Sequence, residues 1–352
     1  MYFETKEITK LKNTSVSRIK NFKNCPLAYL YTYVDKFAPV EKQPIWVQAK
    51  GLVLHEVFEI LTIEENYIGT GEFNTFEVEK DFEEPCWWKY FGGFVRAGIA
   101  HAPVIEAAKT VQRTVTTDQI LEAFEQAMRK NDFPIEKAIE FDLKKGIRRW
   151  LSFKHDFLDN RKTQLFAEKR YEEILFGETK TITILDLLED NGDGTYTIYD
   201  YKTPKSVDVS RYKEQLCVYA YTMACVKGLI TPGSRNYEAV TKHFKLKVFF
   251  PLINLKTEKY DKCLAEVPFT AEDVEDVLES IIKTCDIIDG FDFSKPAEAL
   301  QKSNPNFQCK WCAFCGSEPQ PETVSKDGRA FEGCPITSYL GFDRINGRFE
   351  AV

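Results

Sequence analysis

The chain has 352 residues, with 54 acidic and 47 basic side chains and a formal net charge of −7. Hydrophobic residues make up 43% and charged residues 29%, which excludes a largely disordered or collagen-like chain and leaves one large domain or two to three lobes. The charge argues against a generally sticky nucleic-acid binder without excluding a local basic channel, and no stretch approaches the roughly 18 uncharged apolar residues that span a bilayer.

Residues 14–34 read as two helices with a break. Thr14, Ser15 and Ser17 are N-cap candidates, and Ile19 and Phe22 share a stripe. Asn24-Cys25-Pro26 ends the first helix, and Pro26 can open the next, with Leu27, Leu30, Tyr31 and Val34 at helical spacing. Gly51–Leu61 reads as a helix with Leu54, Val57, Phe58 and Leu61 inward. The aromatic-rich residues 65–110 give no assignable pattern, and 117–162 look helical, becoming basic toward the end. From 164 to 203 the period changes: TKTITILDLLED and GTYTIYDYKT are strand-like, and Asn191-Gly192-Asp193-Gly194 between them is a hairpin signal. Residues 208–227 return to helical spacing, 246–255 form another strand candidate, and 270–289 another helix. Beyond about 300 the chain is loop-like and rich in cysteine.

The hairpin carries the chemistry. Asp200 and Lys202 are two apart and share a face of the sheet, and Asp186 can sit across from them. Asp186 lies in the apolar run ITILDLL, where an unpaired carboxylate is costly. Two carboxylates at one point suit Mg²⁺ or Mn²⁺, with the carbonyl of Tyr201 as a further oxygen ligand. A lysine beside them can orient an attacking water or stabilise charge building on a phosphate. Gln215 and Tyr219, at i and i+4, lie on one face of the next helix. A solvated edge hairpin would carry some of the same charges.

With those residues in order, the chain resembles the RecB-like branch of the PD-(D/E)XK nucleases, which includes the AddB nuclease domain, CRISPR-associated RecB-like exonucleases and many phage exonucleases. The matching elements are Cys25-Pro26, Gly51-Leu-Val-Leu-His55, Glu168, Asp186, Asp200-Tyr201-Lys202 and Gln215-Leu-Cys-Val-Tyr219. The family often has Gly shortly before the isolated Asp, whereas this chain has Thr-Ile-Leu. The resemblance implies an α/β (α+β) fold: a restriction-endonuclease-like core sheet flanked by helices, with a helical insertion and a C-terminal iron–sulfur lobe. It implies that Asp186 and Asp200 hold a metal with His55 as an added ligand, and that Lys202 serves the water or the transition state. Glu168, or Glu172 in its stead, fills the Glu position. Gln215 and Tyr219 brace the site, touch the DNA backbone, or simply pack on the sheet. The expected organisation is 1–64 for the N-terminal helices, 65–163 for the insertion, 164–298 for the nuclease core and 299–352 for the cysteine-rich region.

Of ten cysteines, Cys309, Cys312 and Cys315 form a C-x₂-C-x₂-C run, which can place three thiolates on one 4Fe–4S cluster. The resemblance implies Cys25 as the fourth ligand, with Cys334 as an alternative to Cys315. Four thiolates also suit Zn²⁺. Closing a loop of about 285 residues costs roughly 5 kcal/mol of chain entropy, less than metal–thiolate bonding supplies. Cys86, Cys217, Cys225, Cys263 and Cys285 lack paired spacing and read as core residues.

Lys144, Lys145, Arg148, Arg149 and Lys154 open a basic stretch that either faces DNA phosphates or is a solvated helix. Trp150, Phe153 and Phe157 could stack on bases but have core spacing. The reading is a metal-dependent exonuclease for single-stranded DNA ends, in recombination, repair, phage DNA metabolism or CRISPR adaptation, with the single-strand step resting on analogy. No G-x-x-x-x-G-K-[ST] motif is present, so unwinding would need a helicase or recombination partner. MYFETKEITK lacks the apolar core of a secretory signal, so a cytoplasmic location in a bacterial or phage-infected cell is expected. The rivals are a non-catalytic nucleic-acid-binding iron–sulfur subunit and an iron–sulfur redox protein.

Overall fold

The computed structural model describes residues 13–37, 46–62, 117–154, 163–176, 179–254 and 260–294, with shorter stretches between 299 and 349. Cys86, Phe157 and Cys315 lie outside the described residues. The predicted hairpin organises the centre. Strands β3 (Thr179–Asp190) and β4 (Tyr196–Tyr201) pair antiparallel, Asp190 opposite Tyr196. Their turn closes with Asp193 Oδ1 accepting from the Thr195 N–H at 2.9 Å, and Gly192 takes the left-handed φ of 76° that glycine tolerates.

Among the described residues, six strands make the sheet. The short β1 (Asn13–Thr14) runs parallel to the start of β3, and the long β2 (Gln164–Phe176) covers almost all of β3 antiparallel. Strand β1 pairs at Lys180 and Thr181 and β4 at Leu187–Asp190, so both share the edge opposite β2. Asp186 falls between them. Strand β5 (Phe244–Phe249) pairs parallel with β4, and β6 (Leu264–Glu266) closes that side. The parallel pair needs a crossover, which helices α7 (Ser210–Val226) and α8 (Tyr237–His243) supply.

Each sheet face is covered by helices. On one side lie α1 (Val16–Asn24), α2 (Pro26–Tyr29, continued as a π turn to Val34), α7, α8 and α9 (Ala271–Gly290). Ser15 caps α1, accepting from the Arg18 N–H, and Val16, Ile19 and Phe22 face inward. On the other side, α3 (Trp46–Thr62) packs with α4 (Thr117–Lys130), α5 (Ile135–Glu140) and α6 (Leu143–Phe153). The region expected to be helical from 117 is thus three helices up to Phe153, broken at Asp132 and Asp142 by positive φ. Leu54, Val57, Phe58 and Leu61 are buried as their spacing predicts, and so are Cys217, Cys225, Cys263 and Cys285. The architecture is mixed α/β with a central mixed sheet. No described helix is long and apolar enough to cross a membrane.

One irregularity positions the chemistry. Leu185 belongs to the core on the α7 side and Leu187, two residues on, to the core on the α3 side. In β2, Ala167 and Tyr171 divide the same way. Regular pleating would keep such residues on one face. Between them Glu168 adopts φ 45°, a left-handed conformation inside a strand. The two strands therefore exchange faces at the level of Glu168 and Asp186.

Candidate active site

Beyond the Leu187–Tyr199 pair, β3 and β4 no longer exchange ladder bonds. Asp186 takes over with its side chain, Oδ2 accepting the Tyr201 N–H at 2.5 Å. His55 enters from α3, with Nε2 2.9 Å from the Tyr201 carbonyl. That contact places a proton on Nε2 and turns Nδ1 toward Asp186 Oδ1 at 3.4 Å and Glu168 Oε1 at 3.8 Å. His55, Glu168 and Asp186 each offer a ligand atom within 4.8 Å of the others. One imidazole and two carboxylates within that reach fit a divalent cation.

Glu168 and not Glu172 reaches the site. Glu172 is exposed and pairs with Arg170 at 2.6 Å. The strained backbone at Glu168 accompanies this aim; a non-glycine residue in such a conformation costs roughly 1–2 kcal/mol.

Asp200 stands beside the trio. Its carboxylate is buried, with Oδ2 2.7 Å and Oδ1 2.8 Å from Lys202 Nζ. Among the described residues, Oδ2 meets no donor other than that ammonium. Gln215 on α7 donates to the Tyr219 hydroxyl at 2.6 Å and reaches Asp200 Oδ1 at 3.5 Å. Both residues of that pair thus face the site rather than only packing on the sheet. Tyr212, one turn earlier on α7, lies with its ring centroid 5.4 Å from Lys202 Nζ. Its i−3 spacing from Gln215 was the available sequence signal.

The electrostatics follow from crowding carboxylates in a buried place. Burial opposes the charge on His55, but Asp186 and Glu168 outweigh it and push the imidazole up to about 10. Burial raises the Glu168 carboxyl, with the charge of Asp186 adding to it. Burial also works on Asp186, yet His55 and Lys202 hold it below the usual carboxylate range. Asp200 is raised by burial and by Asp186, against Lys202, to about 6. Lys202, despite burial, is held above its ordinary value by Asp200 and Asp186. The surplus is negative, which a cation relieves.

Helix α3 comes close because residue 51 has no side chain. A Cβ at Gly51 would meet Thr203 Oγ1 at 3.3 Å. A helical glycine is unfavourable by about 1 kcal/mol relative to alanine, and here it permits the approach that brings His55 in one turn later.

The basic stretch departs from expectation. Arg149 is fully buried and donates from Nη1 to the carbonyls of Pro251 and Ile253 at 2.9 and 2.8 Å. It holds the loop after β5 and does not face DNA. Lys154 is also buried. Lys144, Lys145 and Arg148 are half-buried. Trp150 and Phe153 are core residues, Trp150 stacked on Phe58.

At the other end, Cys25 caps α2, its Sγ accepting from the Ala28 N–H at 3.4 Å. Burial pushes the Cys25 thiol up, and Cys312 and Cys334 are close enough for their charges to add to this. Cys25, Cys309, Cys312 and Cys334 all belong to or pack against the core on the α7 side. The N- and C-terminal cysteines thus meet across the fold.

A search of curated proteins finds no match to the chain. The model of the PD-(D/E)XK nuclease superfamily matches residues 13–316, a span that takes in His55, Glu168, Asp186, Asp200, Lys202, Gln215 and Tyr219. The chain belongs to the PD-(D/E)XK nuclease superfamily.

Proposed function

We propose that this protein is a divalent-metal-dependent DNA exonuclease of the RecB-like branch, acting on single-stranded ends. Superfamily membership supports metal-dependent nuclease activity. The observation that carries the reading onto these residues is the convergence of His55, Glu168 and Asp186 within 4.8 Å, beside the buried Asp200–Lys202 pair.

His55, Glu168 and Asp186 would hold the ion, with Asp200 as a further oxygen donor; the Tyr201 carbonyl, expected as a ligand, instead accepts from the ring nitrogen of His55 that points away from the ion. When bound, Mg²⁺ or Mn²⁺ supplies Lewis acidity and neutralises phosphate charge. The protein's own groups do the rest. The Tyr201 carbonyl fixes the His55 tautomer so that Nδ1 can present its lone pair. Asp200 holds the Lys202 ammonium in place, and Lys202 offers positive charge to the phosphate oxygens as negative charge builds on them. Gln215 and Tyr219 keep Asp200 oriented from α7.

The cysteines would hold a 4Fe–4S cluster through Cys25, Cys309, Cys312 and either Cys315 or Cys334. The cluster would act first as a clamp between the two ends of the fold. Recombination, repair, phage DNA metabolism or CRISPR adaptation is the matching setting, with a helicase or recombination protein supplying duplex opening.

The test is digestion of end-labelled linear and circular single-stranded DNA with Mg²⁺ or Mn²⁺, and with a chelator. Loss of linear strands alone supports the exonuclease. Cut circles overturn the exonuclease mode, and no cutting under any metal overturns the nuclease reading.

A further inference from the structure

The edge that carries His55 and Lys202 also carries two cations with no carboxylate partner among the described residues. Lys50 immediately precedes Gly51 on α3 and is only 6% exposed. Its Nζ lies 4.9 Å from the centroid of the Phe141 ring, a cation–π contact. Lys205, exposed, follows Lys202 by three residues, and its backbone is tied down where the Asn254 N–H donates to its carbonyl at 3.0 Å. The two stretches lie side by side, since a Cβ placed on Gly51 would come within 3.3 Å of Thr203 Oγ1. Burial, with the charge of Lys205 adding to it, keeps the Lys50 ammonium below its ordinary value.

A buried ammonium facing a second ammonium is unfavourable unless an anion lies between them. Burial also makes such a place a strong one for an anion, because the attraction is poorly screened. Its position fits a strand passing the metal-ligating group. At 1.5 Å rise per residue, Lys50 sits about 7.5 Å along α3 from His55, on the order of one nucleotide of an extended strand.

We propose that Lys50 and Lys205 together clamp the phosphodiester of the substrate strand that neighbours the one being cut. The proposal rests on the nuclease reading of the adjacent site. It assigns to these lysines a positioning role, distinct from that of Lys202.

The test is fluorescence anisotropy of a short labelled single-stranded oligonucleotide, with Ca²⁺ in place of Mg²⁺, over a range of salt concentrations. Lys205→Ala should weaken binding roughly fivefold and flatten the salt dependence by about 0.7 in log–log slope, the value for one phosphate contact on a single strand. Lys50→Met, which keeps the buried stem, should do the same, and Lys205→Arg should restore binding. Lys242→Ala, exposed just before β5 at the opposite end of the sheet, should change neither quantity. Lys205→Ala is a surface change and carries the test should Lys50→Met fail to fold. Unchanged affinity and slope in folded Lys205→Ala overturns the clamp, as does a wild type that does not bind. A wild type that binds with this lysine dependence yet cuts nothing sinks the nuclease reading and leaves the clamp standing.

Discussion

The carbonyl of Tyr201 accepts a hydrogen bond from Nε2 of His55 at 2.9 Å. Its peptide neighbour on the other side, the Tyr201 N–H, donates to Asp186. One residue of β4 therefore orients two members of the metal-ligating group, although its own side chain is buried in the α3-side core. The DYK segment serves the site through its backbone as well as through Asp200 and Lys202.

His55→Ala should weaken Mn²⁺ binding by at least roughly tenfold, the order seen when metal-site geometry is disturbed. The substitution removes both the ligand atom and the contact to Tyr201. Titration calorimetry reads the affinity, and wild-type affinity in a folded variant would remove His55 from the ligand set.

Proton release should accompany cation uptake. In protein stripped with a chelator, the imidazole is held up at about 10 against an ordinary 6.5. A folded-state value raised in this way stabilises the fold fully below about 6.5 and loses that effect as pH climbs through about 10. The stripped protein should therefore lose stability over that alkaline window. Near neutral pH, Mn²⁺ must displace the His55 proton, so calorimetry in buffers of different ionisation enthalpy should count a proton released on binding. The count should fall in His55→Ala, and its absence in the wild type would show that His55 is not displaced.

Lys202→Ala should abolish cleavage and also destabilise the protein. It leaves the buried Asp200 carboxylate without its partner, a class of change worth about 3–5 kcal/mol. Asp200→Asn combined with Lys202→Met should be as inactive but more stable than Lys202→Ala alone, because no buried charge is left over. Denaturant midpoints of the two variants decide this. Equal destabilisation would show that the ion pair is solvated and unimportant to the fold.

Asp186, Asp200 and Lys202 were legible in the sequence because strand alternation and a hairpin turn are local signals. The hairpin formed as read, and its ladder put Asp186 at the level of Asp200. Glu168 was harder, since choosing it over Glu172 depends on a backbone reversal of pleat that no pattern in AEKRYEE announces. Arg149 departs from its expected surface place for a different reason. Its partners are carbonyls more than 100 residues away, and a basic run reads as surface until those acceptors are known. The meeting of Cys25 with Cys312 and Cys334 is equally non-local, and came only through the resemblance.

Glu168→Gly should stabilise the protein while removing activity. Glycine tolerates the φ of 45° at this position, and relief of that strain is worth about 1 kcal/mol after the entropy of glycine is counted. Glu168→Ala keeps the strained backbone and should gain less. A denaturation series comparing Ala with Gly isolates the backbone effect. Equal midpoints would mean that the conformation is not strained.

Cys25 has two separable roles, as cap and as cluster ligand. Cys25→Ala removes the Sγ that accepts the Ala28 N–H, and lost caps cost about 1 kcal/mol. Cys25→Ser retains a good N-cap oxygen but is a poor ligand for iron. If the thiol binds a cluster, both variants purified without air should lose the brown absorption and most of their iron, and both should melt well below the wild type. If Cys25 is only a cap, serine should restore stability fully and iron content should not change. A colourless wild type carrying stoichiometric zinc would replace the cluster with a tetrahedral Zn²⁺ site.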